Sequence, residues 1–292
     1  MDWSSHSQAG LSGSPIERAG TRDPREIPLE LRRLDSVDEF TRAVALQRLT
    51  WGESFRDVVP AAILKVTQRV GGVTAGAFGP DGEMLGFVYG LTGFCDGKLA
   101  HWSHMLAVRP EYRDRGIGRR LKEYQRELLL AARIEWMYWT VDPLVARNAH
   151  LNVNRLHASV REYVPEMYGD TGSGLHAFGT DRFVMAWPLG NGQESVRAVS
   201  ELPSASTVVL NELDERGLAT VLAALSRPQQ VQIEIPPDIE MIGVGEARAW
   251  RAATRRAFLS ALRAGYEVQG FRGAPDGRCF YALALPRATT PG

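Results

Sequence analysis

Along most of the chain, hydrophobic positions recur either every second residue or every third to fourth, and the switches between these periods mark its elements. Ile27 to Leu34 predicts a first strand. Ser36 and Glu39 then have the spacing of a capping box, and Phe40, Val44 and Leu49 follow at helical intervals up to Trp51-Gly52. Pro60 suits the first turn of a second helix, which carries Ile63, Leu64 and Val66 and stops at Gly71-Gly72. Val73 to Phe78 and Met84 to Leu91 flank Gly79-Pro80-Asp81-Gly82, which predicts a β-hairpin. Leu99 to Val108 is the next strand. Leu121, Tyr124, Leu128 and Ala132 mark one face of a helix of about five turns. Trp136 to Val141, aromatic and β-branched, reads as a buried strand. A helix-like stretch follows Asp142-Pro143, from about Val145 to Val160, and Arg182 to Trp187 is a further strand.

Residues 1–26 are rich in Ser, Gly and charge without periodicity and read as a disordered lead-in. Residues 191–206 read as a linker, and 207–292 as a second unit. In that unit Val208 to Asn211 and Val231 to Ile235 are expected strands with a helix, Glu212 to Leu225, between them. A helix from Glu246 to Ala264 stops at Gly265, and a hairpin turns at Gly273 to Gly277. Arg248, Arg251 and Arg255 form a basic stripe on that helix, expected to be a solvated face. The fold class expected is α+β: a mixed sheet over residues 27–190 with a smaller C-terminal α/β extension.

Composition narrows the function classes. The 292 residues hold 34 basic and 34 acidic side chains, a balance that argues against a general nucleic-acid partner. Cys95 and Cys279 lie far apart with no metal-ligand spacing, so neither a disulfide framework nor a metal site is expected, and a cytoplasmic setting is the simplest. No apolar run approaches the ~20 residues that cross a bilayer, so no membrane partner is expected. The N-terminus has neither the basic nor the apolar region of a signal peptide.

The stretch with the clearest chemistry is Arg113-Asp114-Arg115-Gly116-Ile117-Gly118, between an apolar strand and the amphipathic helix. Backbone N–H groups at a helix start are unpartnered and sit at the positive end of its dipole, and glycine admits a ligand close to them. From Arg113 to Arg133 seven basic residues face three acidic ones, a field suited to a polyphosphate. No Gly-Lys-Ser/Thr follows and no third glycine is suitably placed, so a P-loop or Rossmann reading fails.

Arg113-x-x-Gly116-x-Gly118, in the run Leu106-Ala-Val-Arg-Pro-Glu-Tyr-Arg-Asp-Arg-Gly-Ile-Gly118, resembles the signature turn of the GNAT superfamily of acyl-CoA-dependent N-acyltransferases. The order of elements over residues 28–188 is similar to that family as well. Trp139 to Leu144, Arg147-Asn148-Ala149 and Asp181-Arg182-Phe183 resemble a subgroup with a C-terminal extension. The resemblance implies a GNAT fold with splayed central strands and acetyl-CoA or another acyl-CoA as co-substrate, with no metal. Leu106, Ala107 and Val108 are then expected along the pantetheine arm. Arg113, Arg115, Gly116, Ile117, Gly118 and Arg119 are expected around the pyrophosphate.

The expected activity moves an acyl group, acetyl by default, to the amine of a small metabolite such as an amino acid. His104, beside the expected thioester, is the first candidate base, since imidazole titrates near pH 6.5; its alternative is a hydrogen-bonded strand histidine. Asp142 is a second candidate base or ammonium anchor, and otherwise a turn residue. Arg147 could hold a carboxylate through its guanidinium and is otherwise a solvated helix arginine; Trp51 could touch the acceptor and is otherwise part of the core. The tyrosine many GNAT enzymes use as acid to the thiolate has no clear counterpart; Asn148 and Asn152, four apart on one face, could hydrogen-bond CoA instead. Two other readings compete: a CoA-binding regulatory protein without turnover, and a protein acetyltransferase docking through its C-terminal unit. A homodimer is compatible with the sequence.

Overall fold

The computed structural model of the chain describes residues 28–169, 178–190, 207–224 and 227–286; the expected lead-in and linker lie outside these. In chain order the first part comprises β1 (Glu30–Arg33), α1 (Val37–Trp51), α2 (Ala61–Arg69), β2 (Val73–Phe78), β3 (Met84–Cys95), β4 (Lys98–Val108), α3 (Ile117–Ala131), β5 (Trp136–Val141), α4 (Ala146–Ala149), β6 (Ser159–Val164) and β7 (Arg182–Pro188). The second part comprises α5 (Glu215–Ala223), β8 (Gln230–Ile235), α6 (Val244–Arg263), β9 (Glu267–Gly273) and β10 (Cys279–Ala284). Local sequence chemistry explains the boundaries. The Ser36 hydroxyl accepts from the Glu39 amide while the Glu39 carboxylate accepts from the Ser36 amide, closing the expected capping box on α1. Asp214 caps α5 through the Gly217 amide.

Among the described residues seven strands form one sheet in the order β1-β2-β3-β4-β5-β7-β6, and three form a second, β8-β10-β9. In the large sheet every neighbouring pair is antiparallel except β4 and β5. The fold is therefore the expected α+β architecture with a mixed sheet and an additional C-terminal sheet. Helices α1 and α2 cover one face, where Phe40, Leu46 and Leu64 pack with Phe87, Tyr89 and Met105. Helix α3 covers the other through Ile117, Leu121 and Leu129, packed with Ala75, Ala77 and Val88.

The second sheet is joined to the first by a continuous apolar core. Tyr163 of β6, Phe183 of β7, Phe258 of α6 and Tyr281 of β10 meet with ring centroids 4.8–5.7 Å apart.

Three expectations are corrected. The helix expected from Val145 to Val160 is only the short α4, which widens into a π-type turn over His150–Arg155, and the chain then enters β6. Asn154 clamps that turn to β9, its amide bonding both the N–H and the carbonyl of Phe271, and His157 reverses the chain with φ +53°. The strand expected at Val208 to Asn211 is a single bridge from Val209 to Gln232, followed by a 3-10 turn at Leu210–Glu212. Finally, the Arg251 and Arg255 part of the basic stripe on α6 faces inward onto carboxylates, as described below.

Candidate active site

Strands β4 and β5 pair only at His101 with Met137 and Trp102 with Tyr138. Beyond those pairs they part, so the edge of β4 from Ser103 to Val108 that faces β5 has no strand partner. A bulge accompanies the parting. Tyr89 is opposite Met105 but Gly90 is opposite Ser103, so His104 is an extra residue on β4. It also reverses the alternation of side chains: His101 and Ser103 bond to α3 residues, whereas Met105 and Ala107 belong to the α1/α2 core. Gly90 is what lets β3 follow this path, since a Cβ there would lie 2.3 Å from the His101 ring and 2.6 Å from the Trp102 carbonyl.

After β4, a 3-10 turn at Pro110–Tyr112 leads to Gly116, whose φ of +75° sets the start of α3. The amide of Arg120 makes the first helical bond, to the Gly116 carbonyl, so the amides of Ile117, Gly118 and Arg119 precede the helix's own hydrogen bonding. A Cβ on Gly118 would come no closer than 3.6 Å to Leu106, so packing alone does not require glycine there. Arg113 reaches the Val108 carbonyl at 3.4 Å, Arg115 lies over Tyr112, and Arg119 pairs with Glu123 at the surface.

A cavity of about 480 Å³ occupies the split between β4 and β5. It brings together His104, Leu106, Asp142, Arg147, Asn148, Asn152 and Trp51 from the residues picked out in the sequence. Ala107, Val108 and the Arg113–Arg119 turn do not line it. Phe55, Asp57, Lys122, Tyr168 and, from the C-terminal part, Ile239 and Glu240 also line it. Trp51 stacks on Phe55 with centroids 5.5 Å apart. His104 meets the edge of Tyr89, and desolvation holds its pKa below the ordinary histidine value, with Asp57 acting in the opposite direction.

Asp142 is engaged rather than free. Its two oxygens accept from both terminal nitrogens of Arg251 at 2.8 and 2.7 Å, Arg182 approaches at 3.5 Å, and the Leu144 amide also bonds it. Tyr281 of β10 donates to the neighbouring Pro143 carbonyl. These bonds tie the end of β5 to the C-terminal part and leave Asp142 poorly placed to accept a substrate proton. Arg255 similarly grips buried Asp181 at 2.8 and 2.6 Å. Burial works to raise the Asp181 pKa, but hydrogen bonds from Arg255, Tyr163 and the Glu166 amide outweigh it and hold the carboxyl below its usual range.

Arg147 pairs with Glu240 at 2.9 Å at the cavity margin. Asn152 is spent inside the fold, accepting from the Trp139 indole and donating to the Asn148 carbonyl, so it is not disposed to bind CoA as expected. Beyond α4, Tyr163 is buried on Asp181, whereas Tyr168 lines the cavity with its hydroxyl 2.8 Å from Thr140.

Beneath the fork lies a buried polar chain. Lys122 Nζ donates to Ser103 Oγ at 2.7 Å, and Ser103 donates to Gln125 Oε1 at 2.8 Å. Gln125 Nε2 meets His101 Nε2 at 2.9 Å, His101 Nδ1 meets Thr92 Oγ1 at 3.0 Å, and Thr92 donates to the Gly71 carbonyl. The Lys122 ammonium also lies 4.1 Å from the centroid of Trp139. Burial lowers the Lys122 pKa to about 7; burial first, then the charges of Lys122 and Arg33, lower that of His101 to about 3. The position of Lys122 in the sequence is a usable signal: Leu121, Lys122, Gln125 and Leu129 share one face of α3.

Among the described residues no group of three or more His, Cys, Asp or Glu side chains is placed to hold a metal ion, and no helix is long and apolar enough to cross a membrane. Residues 47–151 match the family model described as Acetyltransferase (GNAT) family. No curated protein matches the chain. Similar solved structures include the ribosomal-protein-S18-alanine N-acetyltransferase from Escherichia coli, at 18% identity, TM-score 0.45, covering 57% of this chain and 97% of that one. A putative acetyltransferase from Salmonella typhimurium with acetyl-CoA gives 16% identity, TM-score 0.43, and 57% and 97% coverage. An aminoglycoside 6'-acetyltransferase type Ii gives 20% identity, TM-score 0.44, and 55% and 97% coverage.

Proposed function

Through residues 47–151 the chain belongs to the acetyltransferase (GNAT) family, and on that premise we propose that it transfers an acyl group from acyl-CoA to the amine of a small metabolite such as an amino acid. The observation that carries this reading is the open edge of β4, which runs from the cavity at His104 toward the cradle before α3. The amides of Ile117, Gly118 and Arg119 are offered to the pyrophosphate, with Arg113 and Arg115 adding positive charge. The pantetheine arm takes the unpaired backbone groups of β4 from Ser103 to Val108 as an added half-strand, which brings the thioester to the bulge at His104.

The acceptor enters past Trp51, Phe55 and Asp57. A cavity of about 480 Å³ lies within the usual span for small-molecule sites of about 300–1,000 Å³, which favours a metabolite over a peptide. Neutral His104 takes the proton from the attacking amine. The amine nitrogen bonds to the acyl carbon, the tetrahedral intermediate collapses, and the C–S bond breaks to release CoA. Asp142 serves by holding the end of β5 against Arg251 and Arg182.

The test is a screen of thiol release with acetyl-, succinyl- and other acyl-CoA donors against a broad panel of amines. Thiol release that depends on both donor and amine supports the reading. A CoA-induced rise in melting temperature without release on any amine replaces it with the regulatory one.

A further inference from the structure

We propose that Lys122 is the acid that protonates the departing CoA sulfur, and that Ser103, Gln125 and His101 are the residues that position it. This rests on the acyltransferase reading above.

The first ground is location. Ser103 and Trp139 are the residues immediately after the last pairs that join β4 to β5. The Lys122 amine bonds one and lies over the other, so it occupies the point where the strands part, and all three line the cavity. A thioester running along β4 to the bulge at His104 ends above this point.

The second ground is the direction of the hydrogen bonds. Thr92 donates to the Gly71 carbonyl, so its oxygen is left to accept from His101 Nδ1–H. Nε2 of that ring is then bare and accepts from the Gln125 amide, which turns Oε1 of Gln125 toward the Ser103 hydroxyl. Ser103 thereby spends its proton on Gln125 and presents only lone pairs to Lys122. The chain fixes Lys122 as a donor with further N–H bonds to give.

The third ground is charge. Lys122 is 3% exposed, and the groups it contacts among the described residues, a hydroxyl and an indole face, are neutral. A buried ammonium without a carboxylate is costly to the fold, whereas a thiolate forming beside it supplies the counter-charge during the reaction. A pKa near 7 lets the amine both hold a proton at neutral pH and give it to an alkyl thiolate, whose conjugate acid titrates at about 8.5.

The step balances. The C–S bonding pair leaves on sulfur and takes a proton from Lys122 Nζ, yielding the CoA thiol and a neutral amine. The proton removed from the acceptor nitrogen goes to His104 and from there to solvent in the open cavity, and solvent returns a proton to the Lys122 amine before the next turnover.

The experiment compares wild type, Lys122→Met and Ser103→Ala, using acetyl-CoA and the best amine of the panel. Methionine fills a similar volume without a donor. Lys122→Met is expected to retain the CoA-induced rise in melting temperature and KM for acetyl-CoA within about threefold. Its kcat should fall about 10²- to 10⁴-fold, the range of a general acid, and the alkaline limb of the wild-type kcat profile should vanish. Ser103→Ala should keep that limb but displace it. A kcat for Lys122→Met within about threefold of wild type, or an alkaline limb that persists, overturns the assignment. So does loss of the limb in Tyr168→Phe alone, which would give the role to that phenol. If Lys122→Met does not fold, an undisplaced limb in Ser103→Ala decides against the network. Failure of wild type to bind CoA or release thiol is the separate failure of the acyltransferase reading, visible before any variant is made.

Discussion

Replacing Asp142 with asparagine separates two roles that the sequence left open, catalytic base and structural tie. The side chain of Asp142 is 12% exposed and faces Arg251 and Arg182, themselves 5% and 7% exposed. Asparagine keeps the shape and an oxygen for the Leu144 amide but leaves two buried guanidiniums with no carboxylate between them. Removing one partner of a buried pair costs about 3–5 kcal/mol. At about 2–4 °C per kcal/mol for chains somewhat shorter than this one, that predicts a fall in Tm of about 6–20 °C. The assay is calorimetric melting of wild type, Asp142→Asn and Asp142→Asn/Arg251→Met, with turnover measured below the lowest transition. The double variant should recover more than half of the loss, because it removes the guanidinium that Asp142 holds through two bonds and leaves Arg182, the more distant partner, alone. The structural tie is refuted if Asp142→Asn melts within about 2 °C of wild type, less than 1 kcal/mol on that scale, while turnover collapses. That result belongs to a base.

Two further outcomes follow from other sites. His104→Ala should lower kcat about 10²-fold or more without changing CoA affinity, and should remove an acidic limb of the wild-type kcat/KM profile lying below pH 6.5, because surrounding protein lowers the pKa of that ring. An unchanged limb removes His104 from the role. The depressed pKa of Asp181 contributes stability that is present above the unfolded carboxylate value of about 3.9 and is lost as pH falls through the lower folded value. Arg255→Gln should therefore flatten the loss of stability in acid relative to wild type, read by denaturant unfolding between about pH 5 and pH 2; an unaltered acid profile contradicts the assignment of that stability to the Arg255–Asp181 pair.

Much of the first part was legible because its signals are local. The Ser36/Glu39 box, the Gly79-to-Gly82 turn and the apolar stripe of α3 each determine an element from neighbouring residues alone. The Gly116/Gly118 turn was legible for the same reason. β6 was not, because the turn before it is held by Trp139, 13 residues from Asn152, and by Phe271, 117 residues from Asn154. A register shift between Val160 and Glu162 also blurs its period of two. The Arg251–Asp142 contact spans 109 residues, and no helical pattern on α6 distinguishes an arginine that grips a carboxylate from one in water. By charge alone Lys122 reads as one more cation around a polyphosphate, although its place beside Leu121, Gln125 and Leu129 puts it on the buried side of the helix.

In the proposed complex acyl-CoA lies along the open edge of β4 with its pyrophosphate on the amides that begin α3. Calorimetric titration of wild type and Gly118→Glu with acetyl-CoA tests it most directly. One site is expected on the wild type and, in the variant, affinity weakened at least tenfold, about 1.4 kcal/mol, because a carboxylate and its stem would stand where the pyrophosphate lies. Equal affinity in the two proteins, or no binding to the wild type, contradicts it.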